Sequence, residues 1–393
     1  MLHDLVIVGA GPVGAAAALA LADSGLDVVT LDARAPGAIG RGDRSIALSH
    51  GSRLIFERLG IWGDVAAARG AVTPITAIDI SQRGGFGQVQ LDAAEQGLPA
   101  LGYVVSYRAL QAALDAAIAC SGRRVVHQAM VSRISATPAY SIVEADHEGT
   151  RIELTSRLAV VADGGGSTVP GLRRRRHDYG QVALVGKLWP RTPHRGLAFE
   201  RFTPEGPIAL LPEADHYSFV WTTAPAKGEA LLALPDAEFT AALEHGMGAC
   251  LARNGSPQQS FARVAERRAF PLVLEYVGRV VGERIALLGN AAQALHPVAG
   301  QGFNLGVRDA YELAQELLAT PREEIGARER LASYARRRQP DRVAGIAFTH
   351  GLLGVFGVDA SWLSWPRGLA LTLLDALPPA KRIFTRAMLF GVR

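Results

Sequence analysis

Two glycine clusters at opposite ends of the chain carry the strongest chemical signal: Gly9-x-Gly11-x-x-Gly14 and Gly300-Gln-Gly-Phe-Asn-Leu-Gly306. In the first, Gly9 permits a tight turn, Gly11 lets backbone approach a pyrophosphate, and Gly14 lets a helix pack closely on a strand. The helix that starts there offers unpaired N–H groups and a partial positive charge to phosphates. Asp32 follows Gly14 by 18 residues, near the roughly 20 typical of an acid that binds a ribose hydroxyl. This pattern favours a dinucleotide site over an ordinary tight turn, but it does not say which dinucleotide. The second cluster also opens a helix, whose N-terminus suits a group that gains negative charge. The same glycines also suit a close contact between helices. If both clusters serve one ligand, that ligand is longer than a nucleotide.

Other residues are read from their surroundings. Arg44, between a Gly-rich loop and a helix, reads as a solvated loop arginine. Asp163, with Gly164, reads as the cap of the turn after a strand. Arg173–Arg176 reads as a solvated loop, with attraction of a phosphorylated reductant as the sharper alternative. His296, beside Pro297, is an acid–base group or a packing histidine. No metal-ligand spacing, no Gly-x-Ser-x-Gly elbow and no nucleic-acid module is present in the sequence.

The elements that must position these residues follow from periodicity. Leu5–Val8 is a fully apolar run, as in a buried parallel strand. Gly14–Ser24 reads as a helix closed by Gly25, and Leu26–Leu31 as the next strand. Together they form a β-α-β unit that ends at Asp32. Residues 33–43 read as a loop and Ile46–Leu59 as a helix. Residues 72–92 alternate in part, as strands do. Ser106–Cys120 reads as a helix with Leu110, Leu114 and Ile118 on one face, and Arg157–Ala162 as a strand ending at Asp163-Gly164. Between Val182 and Phe270 short β-like runs alternate with Pro/Gly turns, which predicts a second, mainly antiparallel lobe. Ile285–Leu288 returns to the buried-strand pattern, and residues 307–338 read as one or two helices.

The chain has 393 residues, 49% of them hydrophobic, enough for two lobes and an appendage. Cys120 and Cys250 are the only cysteines, too few for a disulfide framework in a chain of this length, so a reducing cytoplasm is expected. Leu5–Ala22 carries no charge, but its glycines and Pro12 break it into strand and helix, so neither a targeting signal nor a membrane span is expected. The net charge is +4, yet residues 336–393 hold nine Arg/Lys against three Asp. This basic, apolar tail suits a membrane surface, a partner protein, or packing on its own domain.

The separated motifs Gly9–Gly14 with Asp32, Asp43–Ser49, Tyr107-Arg108, Ala162–Gly164, Leu210–Pro212 with Val220-Trp221, Phe270–Leu272 and Gly289–Asp309 occur in one order along nearly the whole chain. In this the sequence resembles the FAD-dependent aromatic hydroxylases of the para-hydroxybenzoate-hydroxylase type. Within them it is most similar to the ubiquinone-biosynthesis hydroxylases that act on 2-polyprenyl-6-methoxyphenol.

The resemblance implies an α/β fold: a Rossmann-type FAD-binding domain (residues 1–70, 98–180 and 273–338), an inserted antiparallel substrate domain (71–97 and 181–272) and a C-terminal helical tail (339–393). It implies a monooxygenase with non-covalently held FAD, visiting NAD(P)H as reductant and O2 as co-substrate. A prenylated phenol would be hydroxylated at a ring position the sequence leaves open. Arg44 and Arg108 would contact FAD phosphates; Asp163 and Gly164 would serve FAD and the nicotinamide nucleotide. Pro297, Gly300, Gln301, Gly302 and Asn304 would lie along the isoalloxazine ring. Asn290 replaces the family's usual Asp after Gly289, keeping an acceptor without the charge. The expected place is the cytoplasm, or the inner face of a membrane as a peripheral protein, with the tail touching lipid or a ubiquinone-synthesis assembly. No nucleic-acid partner is expected. Other readings are another aromatic substrate and a non-catalytic flavoprotein subunit of such an assembly.

Overall fold

The apolar N-terminal run sets the first layer. In the computed structural model, which describes residues 1–38, 44–166, 169, 172–252, 260–295, 300–356 and 364–392, strand Leu2–Val8 is buried from His3 onward. It pairs in parallel with Val28–Leu31 on one side and Thr150–Val161 on the other. Ile285–Leu287 and Arg124–Val126 extend the parallel sheet, and Val281–Gly282 closes one edge antiparallel. Strand alternation sends Leu5 and Ile7 into a core with helices Pro12–Ala20, Tyr107–Cys120 and Gln301–Leu318. Val6 and Val8 point the other way, against Ile134 and Val143 of the hairpin Ala129–Ala136 and Ser141–His147. Burial on both faces is why the run shows no alternation of polar residues.

The second lobe is a mostly antiparallel sheet. Its order is Gln293–Ala294, Phe261–Val277, Arg174–Pro190, His216–Thr223, Gly206–Glu213, Leu197–Thr203, Ala77–Gln82 and Gln88–Asp92. Only the Leu197–Thr203 and Ala77–Gln82 pair is parallel. Helices Pro225–Ala233 and Asp236–Met247 cover one face, with Phe239 of the second against Phe219 and Trp221 of the sheet. Ser45–Ser49, Gly102–Ser106 and Val72–Ile75 form a small third sheet whose strands flank Ala77–Gln82 and Gln88–Asp92 in the chain.

Two sequence expectations are corrected here. Ile46–Leu59 is not one helix: Ser45–Ser49 is a strand paired with Gly102–Ser106, and the helix is His50–Arg58. Ser49 ends the strand and caps the helix, its hydroxyl accepting from Ser52 N at 3.2 Å. Strand pairing overrides the helical pattern. Arg174–Arg176 likewise belong to a strand rather than a loop, in register with Val277, Tyr276 and Glu275.

The tail is helical and folds back. Arg328–Phe356, with Pro340 inside it, leads toward Ser364–Ala376 and Pro378–Phe390. Gly368 packs on Gly87, where a Cβ would lie 2.2 Å from Gly368 O, and Gly51 packs on Leu389 O in the same way at 2.6 Å. Val392 N donates to Asp341 at 3.2 Å. Among the described residues no helix is long and apolar enough to cross a membrane.

Candidate active site

Register builds the first half of the site. Val8, Leu31, Val161 and Leu287 are level across the parallel sheet, so Gly9, Asp32, Ala162-Asp163 and Leu288-Gly289 all leave it at one edge. The carboxyl ends of parallel strands are where such sheets bind ligands. Here they line a groove of about 380 Å3 that includes Gly9, Gly11, Asp32, Arg44, Asp163, Gly164, Asn290 and Gly302. Gly9 has φ +99°, and a Cβ on Gly14 would lie 1.9 Å from Gly9 O. Packing alone demands these two glycines. At Gly11 a Cβ would meet nothing within 4 Å. That open space lies beside the start of helix Pro12–Ala20, which has no side-chain cap. It is the room a phosphate needs against unpaired N–H groups.

Asp32 is 4% exposed. Its carboxylate accepts from Ala10 N at 2.6 Å, Arg34 N at 2.7 Å and Arg34 Nε at 3.0 Å. Asp32 therefore shapes the loop, and a ribose hydroxyl would share it with Arg34. The Arg34 guanidinium also donates to Ala10 O at 2.8 Å, as does Gln111 Nε2 at 3.0 Å. Sequence reasoning missed Arg34 and Gln111, because the Ala10 carbonyl that both reach is brought near only by the fold.

Arg44 lies over the Tyr107 ring, 4.5 Å from its centroid, and Tyr107 N donates to Arg44 O at 2.9 Å. Arg44 and Tyr107 both line the groove. Arg108, in the first turn of helix Tyr107–Cys120, is exposed and lies outside the groove's lining. Asp163 caps its turn, accepting from Gly165 N at 2.8 Å, and still faces the groove with Gly164. Arg174, from the arginine run, donates to Asn290 O at 3.4 Å at the groove's rim.

The second half starts where helix Gln301–Leu318 begins. Its first turn divides two cavities: Gly302 and Phe303 line the groove, while Gly300 and Gln301 line an apolar cavity of about 310 Å3. Gly300 caps the helix at φ 60°, with no side-chain cap bond. Asn304 is buried and its amide is fully engaged. Oδ1 accepts from Ser49 N at 2.8 Å, and Nδ2 donates to Ala47 O at 3.0 Å and Gly300 O at 2.8 Å. These bonds clamp the helix start to the small sheet along the wall of the apolar cavity. Gly306 serves the other reading of its cluster: a Cβ there would lie 2.8 Å from Gly289 Cα. Pro297 and His296 lie outside the described residues.

The apolar cavity runs between the second sheet and the tail. Ile78, Ile80, Ala198, Glu200, Ala209 and Leu211 form one wall; Leu371, Leu374, Phe384, Met388 and Leu389 of the tail form the opposite one. Glu200 is the unexpected member. Burial pushes its carboxyl up to about 8.

A groove shaped for a dinucleotide, joined at one helix start to an apolar cavity, agrees with the comparisons to known proteins. The family model described as "FAD binding domain" matches residues 3–348. A ubiquinone hydroxylase, UbiL, of Rhodospirillum rubrum is 32% identical over 98% of this chain and 88% of its own length. The chain belongs to the FAD-dependent aromatic monooxygenases, within the ubiquinone-hydroxylase family.

The ubiquinone hydroxylase UbiM of Neisseria meningitidis is 30% identical over 98% of this chain and 85% of its own. The 3-demethoxyubiquinol 3-hydroxylase of Escherichia coli is 30% identical over 80% and 79%. Among solved structures, p-nitrophenol 4-monooxygenase PnpA of Pseudomonas putida covers 100% of this chain and 99% of its own with a TM-score of 0.78 at 18% identity. That likeness establishes the monooxygenase fold of parallel cofactor sheet, antiparallel substrate sheet and C-terminal helices. FAD is the cofactor, with NAD(P)H and O2 as the family's co-substrates.

Proposed function

We propose that this monooxygenase hydroxylates a polyprenylated phenol in ubiquinone biosynthesis, with 2-polyprenyl-6-methoxyphenol as substrate. The apolar cavity carries the reading. It meets the cofactor groove at Gly300–Gly302, and its walls are predominantly apolar, as a prenyl chain requires. The names of the relatives in Rhodospirillum rubrum and Neisseria meningitidis support the pathway.

FAD, when bound, supplies the two-electron oxygen chemistry; the protein supplies position, electrostatics and exclusion of water. In this reading residues 1–70, 98–180 and 273–338 hold FAD, and 71–97 and 181–272 hold the phenol. Gly9, Gly11, Gly14 and the N–H groups at Pro12–Ala20 cradle the pyrophosphate, with Arg44 beside it. Asp32 accepts from a ribose hydroxyl. Asp163, Gly164 and Asn290 lie along the groove toward the flavin. Gly300, Gln301 and Gly302 meet the ring, with Asn304 holding their helix in place.

The tail's outer face supports seating at a membrane. Trp365, Leu369, Leu373 and Leu377 are exposed on one side of helix Ser364–Ala376 and its end, while Leu371 and Leu374 face the cavity. A prenylated phenol would reach the cavity from lipid past this helix. Flotation with anionic liposomes tests the seating: full-length protein floats, and protein truncated before Ser364 does not.

The function is tested with purified holoprotein, NAD(P)H, labelled dioxygen and a short-chain 2-prenyl-6-methoxyphenol. One labelled oxygen atom enters the ring, and the product's position is read by mass spectrometry. Bound FAD with no substrate-stimulated NAD(P)H oxidation would instead mark a non-catalytic subunit.

A further inference from the structure

We propose that Glu200 binds the phenol hydroxyl of the substrate and takes its proton. Glu200 is on strand Leu197–Thr203, in register with Ile80 and Ala209, and all three line the apolar cavity. Its Oε1 is buried with no hydrogen-bond partner among the described residues. A buried carboxyl oxygen without a partner is costly, and such an atom calls for an explanation. A ligand hydroxyl supplies the missing partner. The other polar groups of the wall are Ser49, Gln301, Asn304 and Arg367. Asn304 is bonded at both ends of its amide to Ser49, Ala47 and Gly300. Arg367, on the tail helix, is the other charged group lining the cavity. Asp79 and Arg201, on the packed strands, belong to the sheet's opposite face by alternation.

Burial alone raises the Glu200 carboxyl to about 8, with no cation offsetting it. An acid poised there exchanges protons readily near neutral pH. The phenol O–H bond breaks and an O–H bond forms on the ionised Glu200. The freed electron pair delocalises into the ring, and an ortho or para carbon bonds the electrophilic oxygen atom that dioxygen and reduced FAD deliver. The ring hydrogen then moves as a proton to the carbonyl oxygen as aromaticity returns. The proton held on Glu200 leaves toward the water formed from the second oxygen atom. One NAD(P)H and one proton are consumed per dioxygen, and Glu200 ends ionised as it began.

This assignment rests on the hydroxylase reading, so turnover and binding are measured separately. Glu200→Gln and Glu200→Leu holoenzymes, checked for FAD content, are compared with wild type on 2-prenyl-6-methoxyphenol. Wild-type kcat/KM for hydroxylation rises with pH through a limb near 8; Glu200→Gln loses the limb and about 100-fold in rate. Independently of turnover, flavin absorbance follows titration of oxidised holoenzyme with the phenol and with its O-methyl ether. Wild type prefers the phenol by about tenfold, and Glu200→Leu abolishes the preference. Equal affinity of wild type for phenol and ether, or an unchanged pH limb in Glu200→Gln, overturns the role of Glu200. Retained phenol preference without any hydroxylation overturns the hydroxylase reading and leaves Glu200 as the phenol-binding group.

Discussion

Asn304 Oδ1 accepts from Ser49 N at 2.8 Å across 255 residues of sequence. With the two bonds from Nδ2 to Ala47 O and Gly300 O, this amide ties the small sheet to the start of the helix that divides the two cavities. Asn304→Ala leaves Ser49 N and Ala47 O unpaired, at about 1–3 kcal/mol each. Asn304→Asp keeps the acceptor but sets a carboxylate against two carbonyl oxygens. Both variants are expected to hold FAD more weakly than wild type, with Asn304→Asp no better than Asn304→Ala. Flavin retained on gel filtration and the denaturation midpoint measure this.

Gly11 and Gly14 belong to one motif but predict different failures. A Cβ on Gly14 would stand 1.9 Å from Gly9 O, so Gly14→Ala is expected to damage the fold itself. A Cβ on Gly11 would meet nothing within 4 Å. Gly11→Ala is expected to fold with the apoprotein stability of wild type, and its methyl group would occupy the phosphate cradle. FAD affinity should fall about tenfold or more. Comparing apoprotein melting with FAD titration separates the two outcomes.

The cofactor half of the site was legible because its chemistry is local. Gly9, Gly11, Gly14 and Asp32 lie within one β-α-β unit, and short-range spacing fixes their geometry. Periodicity likewise marked Tyr107–Cys120, where Leu110, Leu114 and Ile118 are buried as expected. The substrate half was not legible. Glu200 is an ordinary strand glutamate in sequence; only the pairing of Leu197–Thr203 with Ala77–Gln82 sets it in an apolar wall. Ser45–Ser49 misled for a similar reason, since its strand partner Gly102–Ser106 is more than fifty positions away.

Arg338 predicts a large stability effect far from the flavin's groove. Its guanidinium is 2% exposed and donates to Asp309 at 2.7 Å and to Asp341 at 2.7 Å, while Arg308 donates to Asp341 at 2.8 Å. Burial alone would raise the Asp341 carboxyl, but Arg308 and Arg338 outweigh it and hold it below its usual range. This network joins helix Gln301–Leu318 to Arg328–Phe356. Arg338→Met takes from the buried Asp309 and Asp341 carboxylates the arginine that both share, and about 3–5 kcal/mol of stability should be lost. Because the Asp341 carboxyl is depressed in the folded state, its contribution is present above the ordinary carboxylate range. It fades as pH falls through the lowered value. Urea denaturation of both proteins at neutral and acid pH checks the size and the direction.

The tail predicts a coupling effect. Leu371 and Leu374 form part of the cavity wall opposite Glu200's sheet. Leu374 is half-buried, so Leu374→Asn should fold, yet it admits water to a site that must stay dry for oxygen transfer. NAD(P)H oxidation is expected to continue while hydroxylated product per NAD(P)H falls and hydrogen peroxide rises. Product and peroxide measured in the same reaction decide it. Unchanged coupling would mean the tail does not seal the cavity during turnover.

Glu200 also predicts how stability varies with pH. Its carboxyl rises from 4.5 to about 8 on folding because burial disfavours the charge. Between those values the folded chain keeps a proton that the unfolded chain has released. Folded stability therefore falls as pH rises through this window, and the loss levels off above the folded value. The full shift corresponds to an upper bound of about 5 kcal/mol. Glu200→Gln carries no ionisable proton at this position, so it escapes the loss. Denaturation at about pH 5 and about pH 8.5 should show a smaller drop for the variant than for wild type. Parallel curves for the two proteins would place the carboxyl in contact with water or a cation, and the raised value would not hold.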